Sequence, residues 1–187
     1  KKFYGPSTFR KGIEYSRNLM TVRIAKSLGL EEILDLSKKL NIYEEIPELL
    51  SVSLGAAETT LVSLTSAYAS FVNGGNKIDP KLISRIQDRR GKTIFQEKNT
   101  KCIGCDKFIS DKTSEFPKIE NKKEKVISEE TAYQMTSILQ GAVKRGTAKK
   151  LKSLKVPLAG KTGTTNDNYD AWFIGFSSNL VIGVYIG

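Results

Sequence analysis

Leu158-Ala-Gly-Lys-Thr-Gly-Thr-Thr-Asn-Asp167, followed by Ala171-Trp-Phe-Ile-Gly-Phe176 and Leu180-Val-Ile-Gly-Val-Tyr-Ile186, is the stretch on which the fold turns. The last two segments are near-continuous apolar runs. Strands apolar on both faces are usually covered on both faces, so a sheet with helices on each side is expected. Ser177-Ser-Asn179 reads as a tight turn, which makes these two strands antiparallel. The first segment puts Lys161-Thr162-Gly163 on a strand of the same sheet. Lysine brings a positive charge, threonine hydroxyls can bind a carboxylate, and glycine lets a backbone and a ligand approach closely. A backbone N–H just beyond it can face a developing oxyanion. Taken alone, the tripeptide reads equally well as a solvent-facing strand with a glycine bulge.

Helices are expected upstream. Ser128 can cap a helix that opens with Glu129 and Glu130, whose charges suit the positive end of the helix dipole. Ala132, Met135, Leu139, Ala142 and Val143 form its apolar face, and Gly146 follows its basic end. Thr59 or Thr60 can cap another helix that runs to about Phe71, with Leu61, Leu64, Tyr68 and Phe71 at helical spacing. Asn73-Gly-Gly75 closes it, and Ser53-Leu-Gly-Ala-Ala57 before it reads as a turn. Residues 7 to 28 read as helix broken near Ser16-Arg17-Asn18 and closed by Gly29. Leu30 to Leu40 follows as a helix with Ile33, Leu34, Leu36 and Leu40 on one side. Its acids, Glu31 and Glu32, come first and its bases, Lys38 and Lys39, come last.

Leu82 to Gln87 and Thr93 to Gln96 read as short strands of a hairpin around Arg90-Gly91. From Glu97 to Lys125 the chain turns polar and lysine-rich, and reads as an insertion or loop. The 187 residues suit one domain or a large part of one, and 39% hydrophobic residues suffice for a packed core. No apolar run approaches the ~20 residues that span a bilayer. The chain opens on Lys1-Lys2 without methionine or a signal-peptide pattern, so a piece of a longer protein is expected.

Thirty Lys and Arg against 20 Asp and Glu give a net charge of +10, which favours anionic partners. Lys144, Arg145, Lys149, Lys150, Lys152 and Lys155 are the densest cluster, and a solvated helix end is the plainer account of it. No aromatic is interleaved there and no nucleic-acid motif appears, so no nucleic-acid partner is expected. The absence of histidine excludes a Ser-His-Asp triad, a Cys-His dyad and any histidine-ligated metal within the chain. The only cysteines form Cys102-Ile-Gly-Cys105, too few for a structural zinc site and poorly placed for redox chemistry. A small loop disulfide and a free pair both remain open. Acyl transfer here would need lysine chemistry.

By itself, Ser16-Arg17-Asn18 is a helix break with ordinary capping chemistry. Before Lys161-Thr-Gly163, in this order, it becomes two of the three motifs of a penicillin-interacting serine acyltransferase. The third, Ser-x-x-Lys, is not in the chain: no serine has a lysine three residues later. The surrounding words are specific. Gly5-Pro6 through Ser16-Arg-Asn-Leu-Met-Thr-Val-Arg-Ile24, Ser53-Leu-Gly-Ala-Ala-Glu-Thr-Thr60, Ala67-Tyr-Ala-Ser-Phe-Val-Asn-Gly-Gly75, Gly160-Lys-Thr-Gly-Thr-Thr-Asn-Asp167 and Asp170-Ala-Trp-Phe-Ile-Gly175 resemble the transpeptidase domain of a class A, bifunctional penicillin-binding protein. The resemblance covers nearly the whole chain except about residues 97 to 125.

The resemblance implies an α+β fold, an antiparallel sheet under helices on both faces, here as an incomplete fragment spanning residues 1–187. It implies a D,D-transpeptidase that crosslinks peptidoglycan stem peptides through a serine acyl-enzyme. The donor ends in D-Ala-D-Ala, the acceptor brings an amine, and β-lactams mimic the donor. Ser16 would relay protons, Asn18 would hold the substrate amide carbonyl, and Lys161 would hydrogen-bond Ser16 and set the local field. Thr162 and Thr164 would bind the carboxylate, with Gly163 and Thr165 lining the pocket, and the Thr164 N–H would be half of the oxyanion hole. The nucleophile, its lysine, a glycosyltransferase domain and a membrane anchor would lie outside the chain. No cofactor and no metal are implied. The expected location is the outer, periplasmic side of the cytoplasmic membrane, and exposed strand edges would permit a homodimer. This piece alone is expected to be inactive. The same motifs also fit a serine β-lactamase, a D,D-carboxypeptidase or a non-catalytic module of the same fold.

Overall fold

The structure, a computed structural model, describes residues 4–43, 45–97, 100–103, 118–121, 123–165 and 169–187. They fall in two compact units, one drawn from Lys1–Ile78 and Lys125–Gly187, the other from Asp79–Glu124.

The first unit opens with α1 (Phe9–Glu14), capped by the Thr8 hydroxyl, which accepts from the Lys11 N–H at 3.3 Å. The expected break at Ser16 separates it from α2 (Asn18–Leu28). Gly29, at φ +94°, ends α2 and leads into α3 (Leu30–Lys39), whose charge order matches its dipole. A 3-10 turn at Leu50–Leu54 closes on Gly55 in the left-handed region. Thr60, rather than Thr59, caps α4 (Leu61–Val72) through the Ser63 N–H at 3.1 Å; the Thr59 hydroxyl instead donates to the Ile42 carbonyl. Ser128 caps α5 (Glu129–Lys144). A second 3-10 turn, Lys149–Leu154, precedes the sheet.

The sheet runs β5 (Ala159–Thr164), β6 (Ala171–Phe176), β7 (Val181–Ile186) in space as in sequence, antiparallel throughout. Register puts Lys161 opposite Ile174 and Ile174 opposite Gly183, so these three share a face with Ala159, Phe176 and Val181. Helices α4 and α5 pack on this face. Gly183 is bare of a Cβ because α4 lies directly over it: an added carbon would come 2.9 Å from a Leu61 methyl and collide with the Thr65 hydroxyl. Leu139, Ala159 and Phe176 form the core, with Ile13, Tyr68, Phe71, Val72 and Val181 against them. On α5 the buried row includes Ile138, while Met135 is half-buried. The opposite sheet face carries Ile182, Val184 and Ile186, which are 49%, 44% and 69% exposed; among the described residues, helical cover is on one face. No helix among the described residues is long and apolar enough to cross a membrane.

The second unit holds the expected hairpin, β1 (Arg85–Gln87) with β2 (Thr93–Gln96). Asp88 shapes its turn by accepting from the Arg90 and Lys92 N–H groups at 2.8 and 2.9 Å. Its first strand is shorter than the sequence suggests: Leu82 is 99% exposed and outside the ladder. A second antiparallel pair, β3 (Thr100–Ile103) with β4 (Lys118–Asn121), stands where a loop is expected. The lysines and acids there leave no apolar alternation to announce a strand. The Cys102-Cys105 reading falls outside the described residues, since Cys105 and the Cys102 side chain are not among them.

Candidate active site

The site begins with how α1 stops. The Ser16 N–H donates to the Ile13 carbonyl at 3.1 Å, and the Arg17 N–H donates to the Gly12 carbonyl at 2.9 Å. These are the two bonds of a Schellman turn, with Ser16 at the left-handed position that glycine usually takes. Ser16 accordingly has φ +50°. A serine there adopts an uncommon backbone conformation, costing of order 1 kcal/mol, and the turn throws its hydroxyl clear of the helix.

That hydroxyl meets β5. The Lys161 Nζ donates to the Ser16 Oγ, across 145 positions of sequence, and also to the Thr162 carbonyl at 2.6 Å. No carboxylate pairs with Lys161 among the described residues. Burial therefore acts unopposed and holds its ammonium below the ordinary lysine value of 10.5. The first and last sequence motifs, remote in the chain, are in direct contact.

Strand β5 is an edge of its sheet. The Thr165 N–H reaches the Asp170 carbonyl at 3.1 Å across the ladder. Backbone groups of successive residues point to opposite sides of a strand, so the Thr164 N–H points out of the free edge. Thr162 and Thr164 share one face by the same alternation, and both flank Gly163, whose missing side chain keeps the edge open. Thr165 is tied to Asp170: its hydroxyl accepts from the Asp170 N–H at 2.8 Å, and Asp170 in turn accepts from the Tyr185 hydroxyl at 2.8 Å. The Trp172 and Tyr185 rings pack against each other across β6 and β7, tilted by 53° with centroids 4.9 Å apart.

Asn18 is less engaged. It opens α2, is exposed, and its side-chain amide makes no hydrogen bond among the described residues. Asn166 and Asp167 lie outside the described residues.

Three further residues join the site that motif reading did not supply. Thr147 bridges it: its N–H donates to the Glu14 carbonyl at 3.1 Å, and its hydroxyl shares a hydrogen bond of 2.8 Å with the Thr162 hydroxyl. Glu14 and Arg145 are paired beneath the Ser16 turn. Arg145 is visible in sequence only as part of a basic cluster, and nothing local distinguishes Glu14 from a surface acid.

The family described as the penicillin binding protein transpeptidase domain matches residues 1–186. Penicillin-binding protein 1A of Rickettsia conorii is 43% identical over 189 residues, covering 100% of this chain and 24% of that protein. Penicillin-binding protein 1A of Pseudomonas aeruginosa is 33% identical, covering 99% and 26% respectively. The chain thus spans about a quarter of the length of these curated relatives. Among solved structures, penicillin-binding protein 1A from Haemophilus influenzae superposes with a TM-score of 0.81 at 32% identity, covering 98% of this chain and 30% of that one. Penicillin-binding protein A from Mycobacterium tuberculosis, solved as an imipenem acyl-enzyme complex, shares the fold at a TM-score of 0.75 and 16% identity.

Proposed function

Given that this chain belongs to the penicillin-binding protein transpeptidase family, we propose that it builds two thirds of a D,D-transpeptidase centre, the Ser-x-Asn turn and the Lys-Thr-Gly edge. The observation that carries the reading is the Lys161 hydrogen bond to Ser16. It joins the two motifs in the geometry a proton relay needs, heavy atoms within hydrogen-bond reach.

In this reading a serine of a Ser-x-x-Lys segment, supplied from outside the chain, attacks the carbonyl between two D-alanines of a stem peptide. An ester forms and the terminal D-alanine leaves. Ser16 passes the proton to the leaving nitrogen, and Lys161, desolvated and with no carboxylate partner among the described residues, keeps the Ser16 oxygen oriented and its field positive. Thr162 and Thr164 bind the donor carboxylate, Gly163 and Thr165 line the cleft, and the Thr164 N–H meets the oxyanion from the free edge of β5. Asn18, at the exposed start of α2, becomes engaged when a substrate amide arrives. An acceptor amine then resolves the ester and leaves a crosslink. β-Lactams enter as donor mimics and stop at the ester. The reaction belongs on the outer face of the cytoplasmic membrane, where the stem peptides are.

The test compares two polypeptides incubated with a fluorescent penicillin and weighed intact. One is this chain; the other continues upstream through a Ser-x-x-Lys segment. Covalent label on the longer form alone, reduced by about a hundredfold or more in rate by Ser16→Ala or Lys161→Ala, is the expected result. Label on this chain would place the nucleophile elsewhere. Rapid turnover of the drug by the longer form would make it a β-lactamase.

A further inference from the structure

Glu14 does nothing in the chemistry just described, yet it is the most deeply buried charged group among the described residues, 2% exposed. It lies two residues before Ser16, in the last turn of α1. Arg145, the cap residue of α5, grips its carboxylate with two donors: Nε reaches Oε2 at 2.8 Å, and Nη2 reaches Oε1. Arg10 approaches Oε1 from the other side at 3.9 Å. Two glycines make room for the pair. A Cβ on Gly141 would collide with the Glu14 carboxylate and come 2.9 Å from Arg145 Nη2. A Cβ on Gly146 would collide with the Glu14 carbonyl and come 2.8 Å from the Ala142 Cα. That same carbonyl takes the Thr147 N–H.

Helix α1 has six residues, too few to hold its own shape in water. Its end must nonetheless place Ser16 in a strained left-handed conformation and aim one hydroxyl at Lys161. Ile13 packs against the core and the Thr147 N–H donates to the Glu14 carbonyl, and the glycine-floored ion pair adds a directional hold on that end. A two-donor guanidinium–carboxylate contact constrains both position and orientation, which a single hydrogen bond or an apolar contact does not. Glu14 is buried while Arg145 keeps about half of its side chain, 51%, in solvent; burying a carboxylate is a poor way to gain stability compared with apolar packing, which favours a directional purpose for it here.

We propose that Glu14 and Arg145 are positioning residues: clamped over Gly141 and Gly146, they hold the Ser16 turn at the distance from Lys161 that proton relay requires. The role rests on the transpeptidase reading above. It acts on the rate of acylation and not on drug binding, because the clamp touches neither the cleft nor the Thr162–Thr164 edge except through Thr147.

The experiment uses the longer polypeptide, with its Ser-x-x-Lys segment, mixed rapidly with fluorescent penicillin over a range of concentrations. Saturation separates the limiting acylation rate constant from the binding constant, and burst amplitude counts folded, competent molecules. Glu14→Gln keeps the shape and removes the charge. Gly141→Ala keeps both charges and pushes the carboxylate out of its seat, in a helix that alanine should otherwise favour. Arg145→Lys keeps the charge and loses the fork. The expected result is a limiting rate constant lower by about tenfold or more in Glu14→Gln and Gly141→Ala, with Arg145→Lys intermediate and binding constants within about twofold. Reduced amplitude with an unchanged rate constant would overturn the proposal, since it would mean that the pair only holds the fold together. Unchanged rate and amplitude would overturn it as well. If the unsubstituted polypeptide is not labelled at all, the transpeptidase reading fails first and the clamp falls with it.

Discussion

Ser16 shows most plainly how chemistry and conformation compete for one position. Its hydroxyl is wanted by Lys161, while its φ of +50° is wanted by glycine. Ser16→Ala and Ser16→Gly both delete the hydroxyl, but only glycine relieves the left-handed strain. Denaturant unfolding should therefore find Ser16→Gly more stable than Ser16→Ala by about 1 kcal/mol, the reverse of the order inside a helix. Ser16→Thr keeps a hydroxyl but adds a β-branch that this conformation resists. Lys161 makes a second prediction. Its folded-state midpoint lies below 10.5, so between the two midpoints the unfolded chain holds more protons on this residue than the folded protein. Stability then rises with pH through that window, and the full cost of burying the charge is present below it. Lys161→Met removes the titrating group, and urea midpoints followed across the window should lose that part of their slope. The motif residues themselves were legible in sequence. Glu14 was not, because its partner is 131 positions away and burial at α1 is decided by α5.

The elements were read best where capping and periodicity agree. Ser128 with Glu129 and Glu130 announces α5, and Asn73-Gly-Gly75 announces the end of α4, as the structure bears out. At that end two neighbouring glycines have unequal roles. Gly75, at φ +92°, accepts from the Val126 and Ile127 N–H groups at 2.9 and 3.1 Å, and a Cβ on it would run into the Ile127 carbonyl. Gly74, at φ +76°, would meet only the Glu129 side chain at 3.5 Å. Gly75→Ala should thus cost about 3 kcal/mol or more, combining backbone strain with a clash that backbone must absorb. Gly74→Ala should cost about 1 kcal/mol, the conformational part alone. Chemical denaturation of the two variants side by side checks the contrast. Strands β3 and β4 were not legible. Polar residues within pairing strands carry no alternation to read, and only the backbone ladder reveals them.

The whole molecule divides where sequence gave a partial hint. The change to polar composition at Glu97 marks the interior of the second unit, whereas the division itself comes at Asp79, ahead of the hairpin. A hairpin reads alike whichever unit it joins, so the boundary depends on tertiary contacts. The sheet face that carries Ile182, Val184 and Ile186 has a consequence at this scale. Ile182, Val184 and Ile186 present greasy area to water on a particle carrying ten net positive charges. Two such particles attract at short range through that face and repel at long range through their charge. Repulsion reaches ~30 Å at 0.01 M salt and ~3 Å at 1 M. Static light scattering should then give a second virial coefficient that is positive in dilute salt and turns negative as salt is added, and Val184→Lys should postpone the change of sign. In colloidal terms this chain is stabilised by charge and destabilised by salt, so it should be concentrated in dilute buffer rather than in brine.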